Sequence, residues 1–238
     1  MCTVILHVPE APGAPVQVLA IRDEDPHRTW LPLGRSWPDT HPDVVGVRDA
    51  RAGGAWLAAD EATRRLAVLL NRADVTTRPQ SEILSRGGVV LDSAEGTSPA
   101  ADPRTHGFNL VEVTPMSARV ITWDGEALRT TDLGPGTHMI AHDDVDDPRT
   151  ARIARWLPEF QAVPLPAGGQ WWMPWLEVLA RSTSLAADDD RTIIRDNRPF
   201  GYPTLSLLVC AASVSPGGVD LHYAELDEPG VWNPLTLA

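Results

Sequence analysis

Lysine is missing from the 238 residues: all 20 basic side chains are arginine. Its absence excludes Schiff-base lysines, the Walker-type phosphate lysine and Ser–Lys hydrolases. Cysteine is scarce as well. Two residues, Cys2 and Cys210, are too few for a disulfide framework, and no Cys/His cluster has zinc spacing, so no metal is expected. Basic residues are outnumbered, 20 against 32 acidic, for a formal net charge of −12. A surface that tracks phosphates needs the opposite sign, so nucleic acid is not an expected partner, and an anionic membrane is disfavoured on the same ground. No stretch approaches the roughly 18 apolar residues that span a bilayer. The start, Met1-Cys2-Thr3-Val4-Ile5-Leu6-His7-Val8-Pro9-Glu10, lacks the basic n-region of a signal peptide. These absences predict a cytoplasmic protein whose Cys2 stays a thiol, and no cofactor is called for.

What is present suffices for a core. A hydrophobic content of 43% over 238 residues predicts one globular domain, 1–238. Thr3–Val8 and Val16–Ile21 read as strands around the Pro/Gly-rich loop Pro9–Pro15. With that loop centred near residue 12, antiparallel pairing sets i + j at about 24, which places Cys2 opposite Arg22 or its neighbours. Residues 25–53, rich in Pro, Gly, Asp and Arg, read as a long loop. Ala55–Ala59 and Leu66–Leu70 look like strands, with a helix over Glu61–Leu70 as the competing reading. Ser81–Leu91 suggests a helix with Gly87 and Gly88 near its end. Phe108–Val113, Ala118–Trp123 and Ala127–Thr131 read as strands, and Asp124-Gly125 as a tight hairpin turn. Thr150–Gln161 and Trp172–Leu185 carry the apolar spacing of amphipathic helices, and Thr204–Ala211 with Val219–Leu226 make a last strand pair. Paired strands and clustered helices predict an α+β fold of two antiparallel sheets with helices outside.

Several motifs resemble a known family in collinear order. Ala20-Ile21-Arg22-Asp23-Glu24 is similar to the Ala-Asn-Arg-Asp-Glu signature of the NRDE family, also called the transport and Golgi organisation protein 2 family. Gly46-Val47-Arg48-Asp49, Ala52-Gly53-Gly54-Ala55-Trp56-Leu57, Leu66–Asn71, Ser85-Arg86-Gly87, Gly107-Phe108-Asn109-Leu110 and Leu133–Pro148 resemble later motifs. The resemblance implies the four-layer αββα sandwich of N-terminal-nucleophile hydrolases, with choloylglycine hydrolases and penicillin V acylase as distant relatives. It also favours strand over helix at 61–70. Three positions depart from the pattern: Ile21 replaces the signature Asn, His142 another Asn, and Gly201-Tyr202-Pro203 lacks the Arg of a late Gly-Thr-Arg.

These residues suggest a chemistry. Once Met1 is removed, Cys2 carries a thiol and an α-amine on one residue, both titrating near neutrality. The amine can take the thiol proton and later pass it to a leaving amine. Arg22 is expected to favour the thiolate, Asp23 to hydrogen-bond the α-ammonium, and Asn71 to donate to the oxyanion. His142, Trp56 and Glu24 are expected to line the substrate pocket. Neighbours on a strand point to opposite faces, so Arg22 and Asp23 share a pocket only where the strand ends or bulges. Otherwise Arg22 pairs with Glu24 on the Cys2 side and Asp23 faces away.

The expected function is therefore a cysteine amide hydrolase or acyltransferase acting on a small-molecule substrate. The competing reading is a non-catalytic binding or trafficking protein for a hydrophobic ligand such as haem or lipid, with Trp171, Trp172 and Trp175 as pocket or core. The oligomeric state stays open.

Overall fold

The computed structural model describes residues 2–166 and 168–238. In chain order the first strands are β1 (Thr3–Val8), β2 (Val16–Glu24), β3 (Trp30–Gly34), β4 (Val44–Asp49), β5 (Ala55–Asp60) and β6 (Arg65–Asn71). Helix α1 (Gly87–Ala94) precedes β7 (Phe108–Thr114), β8 (Ser117–Trp123), β9 (Leu128–Leu133) and β10 (Gly136–Ile140). Helices α2 (Ala151–Gln161) and α3 (Met173–Ser182) come before β11 (Leu205–Ser215) and β12 (Gly218–Glu225). The chain divides into two compact units, one of Met1–His27, Pro135–Ser213 and Leu221–Ala238, the other of Arg28–Gly134 and Val214–Asp220.

The first unit is built on the sheet β10-β1-β2-β11-β12. Residue numbers of the β1–β2 pairs sum to 24, from Thr3↔Ile21 to His7↔Gln17, as the hairpin loop requires. On one face Ile5, Leu19, Ile21, Met139, Val209 and Ala211 pack with Ile153, Trp156 and Phe160 of α2 and Trp175, Leu176 and Leu179 of α3. On the other face Val4, Leu6, Val18, Ala20, Leu208 and Cys210 are equally inaccessible. Burial on both faces is why these strands read as continuous apolar runs without alternation. Trp171, Trp172 and Trp175 belong to this core, with Trp171 and Trp175 edge to face at 5.7 Å.

The second unit is a meander, β3-β4-β5-β6-β7-β8-β9, with each neighbouring pair antiparallel. Val90, Leu91 and Ala94 of α1 cover Ala58, Ala67, Leu69, Phe108, Leu110 and Ile121. The fold is thus α+β with two antiparallel sheets, and each unit supplies a helix layer on a sheet layer.

Two expectations need correction. The long loop at 25–53 contains β3 and β4; β3 holds Pro32 and leaves Leu31 and Pro32 exposed, as an edge strand can. The helix expected at Ser81–Leu91 splits into a 3-10 turn, Gln80–Glu82, and α1, so the glycines open the helix instead of closing it. The reason is a close approach: a Cβ on Gly54 would lie 2.4 Å from the Gly87 carbonyl carbon, and one on Gly87 2.8 Å from the Gly54 Cα. At 61–70 the strand reading holds, the turn closing through Arg64 at φ 56°. Gly54→Ala should push α1 off the sheet and cost about 1–3 kcal/mol, read as a lowered melting temperature.

Candidate active site

Cys2 ends the β1–β2 ladder through its side chain. Thr3↔Ile21 is the last backbone pair, and beyond it the sulfur serves both polar groups of Asp23. The Asp23 N–H donates to Sγ at 3.4 Å, and the thiol donates to the Asp23 carbonyl at 3.7 Å. Cys2 is 7% exposed. Burial first, and the Asp23 charge second, push its thiol up; the Asp23 N–H and Arg22 pull weakly the other way. This corrects the expectation that Arg22 makes a thiolate of it. At rest the sulfur is protonated.

Arg22 and Asp23 take opposite faces of β2, as strand geometry demands. Arg22 is buried and reaches Glu24 Oε2 at 3.4 Å. Its guanidinium also acts on Cys210 of β11, whose thiol is otherwise driven up by burial. Asp23 shares the helix-facing side with Ile21. Its Oδ1 accepts from the Ser206 hydroxyl at 2.6 Å, and Ser206 Oγ accepts from the Arg195 N–H at 2.9 Å. Arg152 of α2 donates to Thr3 Oγ1 at 3.0 Å. Its guanidinium is driven down to about 10, mainly by burial and by Arg195, while Asp23 and Cys2 resist that drop. It remains a cation at neutral pH. Arg195 is held by Asn197 Oδ1 at 3.0 Å and Asp190 Oδ1 at 3.0 Å.

His142 follows β10. Residue numbers of the β1–β10 pairs sum to 144, and the ladder ends at Val4↔Ile140, two residues before His142. Its imidazole is depressed by burial and then by Arg152, against the pull of Asp143, so it is neutral at pH 7. Nε2 lies 3.4 Å from Asp143 Oδ2.

Cys2, Arg22, Asp23, Glu24 and His142 therefore share one unit and one end of one sheet. Asn71 and Trp56 belong to the other unit, Asn71 exposed at the end of β6 opposite Phe108 and Trp56 buried in β5. Oxyanion donor and pocket wall are expectations for them from the sequence alone. Removal of Met1 concerns a residue outside the described ones. Thr3, Arg152, Arg195 and Ser206 were not anticipated. The one signal was Arg152, four positions before Trp156 and so on the apolar stripe of α2. A cavity of about 600 Å³, lined by His7, Gln17, Thr137 and Gln161 among others, lies at the opposite end of β1. That cavity and the buried charges do not coincide; the Cys2 end, with those charges, is the better candidate.

A family model described as Transport and Golgi organisation 2 matches residues 1–163. Among solved structures the chain is similar to the mutant C2A conjugated bile acid hydrolase from Clostridium perfringens, at 10% identity and a TM-score of 0.42, covering 100% of this chain and 96% of that one. Among curated proteins none matches. No described helix is long and apolar enough to cross a membrane.

Proposed function

This chain belongs to the Transport and Golgi organisation 2 family, and on that premise we propose that it is a cysteine hydrolase or acyltransferase. Cys2 is the nucleophile, and the substrate is a small non-peptide amide or related acyl compound. One observation carries the reading: a thiol at the start of β1, held by both backbone groups of Asp23, is buried where the charges of Asp23 and Arg22 act on it. Such a concentration of desolvated ionisable groups costs stability, and proteins tolerate it mainly where chemistry is done.

The sulfur attacks the acyl carbon, the thiol proton leaves to a base, and the amide nitrogen departs as an amine. Water or a second nucleophile then takes the acyl group from sulfur. Where Cys2 is the first residue of the mature chain, its own α-amine is the expected base. Arg22 and Arg152 each interact favourably with the thiolate as it forms, which offsets the desolvation that keeps it protonated at rest.

The rival reading, a pocket for a hydrophobic ligand, draws no comparable support. Trp171, Trp172 and Trp175 are spent on one another and on Phe160, buried in the core.

Peptide mapping after brief iodoacetamide treatment tests the proposal. Cys2 should be modified well ahead of Cys210, which is fully buried. Cys2→Ala should abolish the fast phase and any S-acyl adduct seen by intact mass. A Cys2 that reacts no faster than Cys210 would end the nucleophile reading.

A further inference from the structure

We propose that Ser206 is a positioning residue for Cys2, a buried hydroxyl that fixes Asp23 and, through the Asp23 backbone, the sulfur. The inference rests on Cys2 being the nucleophile.

Every link is a hydrogen bond. The Asp23 N–H donates to Cys2 Sγ at 3.4 Å, and the Asp23 carbonyl accepts from the thiol at 3.7 Å. The carboxylate of the same residue accepts from the Ser206 hydroxyl at 2.6 Å. Cys2 directly precedes β1, Asp23 comes near the end of β2, and Ser206 is the second residue of β11, so one end of one sheet carries all three. Asp23 thus has its backbone on the sulfur and its side chain on the hydroxyl. A carboxylate free to turn takes a constraint off the residue whose backbone holds the thiol.

The hydroxyl proton has one preferred destination. Ser206 is 0% exposed, so its polar atoms find their partners inside the protein. The Arg195 N–H donates to Oγ at 2.9 Å and occupies a lone pair. Two acceptors remain for the proton, the Asp23 carboxylate at 2.6 Å and the Ile193 carbonyl at 3.4 Å. The nearer, charged one takes it. Ser206 itself is held on both sides. Its N–H donates to the Arg195 carbonyl at 2.9 Å, and its carbonyl accepts from the Gly230 N–H at 2.7 Å. Asp196 bridges Leu205, and the Asn197 N–H donates to the Thr204 carbonyl at 2.9 Å, so residues 195–197 run antiparallel to 204–206. A donor mounted on such a ladder is preorganised.

The charges acting on the thiol are Asp23 and Arg22 of β2 and the chain's amino terminus, while Arg152 of α2 is itself favoured by Cys2. Asp23 acts on the sulfur in two senses. Its N–H favours the thiolate, and its carboxylate opposes it. The Ser206 hydroxyl offsets part of the carboxylate charge and keeps the N–H aimed at Sγ. Both actions favour the thiolate, so loss of the hydroxyl pushes the thiol further up.

The test is Ser206→Ala, read as the pH profile, from pH 7 to 11, of iodoacetamide alkylation at Cys2 by peptide mass. The midpoint should move upward, and Cys2 should slow about 10-fold at pH 8. Cys210, 0% exposed, is the control: a loosened fold quickens it, whereas a displaced Asp23 leaves it unchanged. In an Asp23→Asn background no carboxylate charge remains, so the same change should slow Cys2 by less than about threefold. Melting curves establish that the variants fold; where the double variant does not, the midpoint of Ser206→Ala alone decides. A midpoint that stays or falls in Ser206→Ala, an equal slowing in the Asp23→Asn background, or a Cys210 that quickens together with Cys2 overturns the role of Ser206 and leaves Cys2 as nucleophile. A wild-type Cys2 no faster than Cys210 overturns both.

Discussion

Asp23→Ala is expected to lose about 3–5 kcal/mol of folding stability in denaturant titrations, the penalty for stranding a buried charge. The carboxylate is 6% exposed and does two things at once. It accepts the Ser206 hydroxyl at 2.6 Å, and its charge supports the Arg152 cation against burial and the repulsion of Arg195. Alanine leaves the hydroxyl with just its 3.4 Å contact to the Ile193 carbonyl and takes from the guanidinium the largest of the charges that support it. Asp23→Asn separates the two effects. It keeps an acceptor oxygen but removes the charge, so it should cost less stability than alanine. It should also shift Cys2 in a defined direction. The Asp23 charge pushes the thiol up, so removing it brings the pH midpoint of alkylation down and speeds modification at pH 8. A midpoint that rises in Asp23→Asn would contradict this electrostatic account.

Trp175→Ala should cost a similar amount, about 3–5 kcal/mol, because it empties the centre of the first unit's core. Trp175 is 0% exposed and packs edge to face with Phe160 and with Trp171, each at 5.7 Å. At about 2–4 °C per kcal/mol for a chain of this size, the melting temperature should fall by roughly 6–20 °C. Trp175→Phe keeps an aromatic ring and removes an indole N–H that has no hydrogen-bond partner among the described residues. It should recover much of the loss. An alanine variant melting within a degree of wild type would mean that the site collapses around the cavity and that the tryptophan cluster is not the core's anchor.

The parts of this structure that could be read from the sequence are those fixed by local rules. The first hairpin is one. Its strands are unbroken apolar runs, its loop is bounded by prolines, and the arithmetic of an antiparallel turn placed Cys2 level with Arg22 before any coordinates. Parity then left two arrangements, and the structure has the one in which Arg22 turns to Glu24 and Asp23 to the other face. What stayed hidden depended on distant neighbours. β3 has Pro32 and two exposed residues, and β4 carries Gly46, where a Cβ would sit 2.5 Å from the Leu57 carbonyl oxygen. Close strand packing demands that glycine, yet in sequence it looks like a loop. β10 shows just Met139 and Ile140 as apolar before its loop. The sign of the Cys2 shift was misread for a related reason. Proximity of Arg22 was legible, but the desolvation that outweighs it arises from the whole folded environment. Ser206 gave no signal, since it looks like an ordinary member of an apolar segment, and Arg195 reads as one charge in the polar run Arg195-Asp196-Asn197-Arg198.

The two units place different demands on folding. A meander in which every strand pairs with the next has short loops to close everywhere but at the α1 crossover from β6 to β7, and such largely local topologies form fast. The sheet bearing Cys2 has no such shortcut: β1 must find β10, and Asp23 must find Ser206, 183 positions further on. On the ribosome the sulfur emerges first and its surroundings emerge last. A nascent chain should hold a finished meander while the Cys2 end is still unassembled, so the surroundings of that thiol are complete only when synthesis is nearly over.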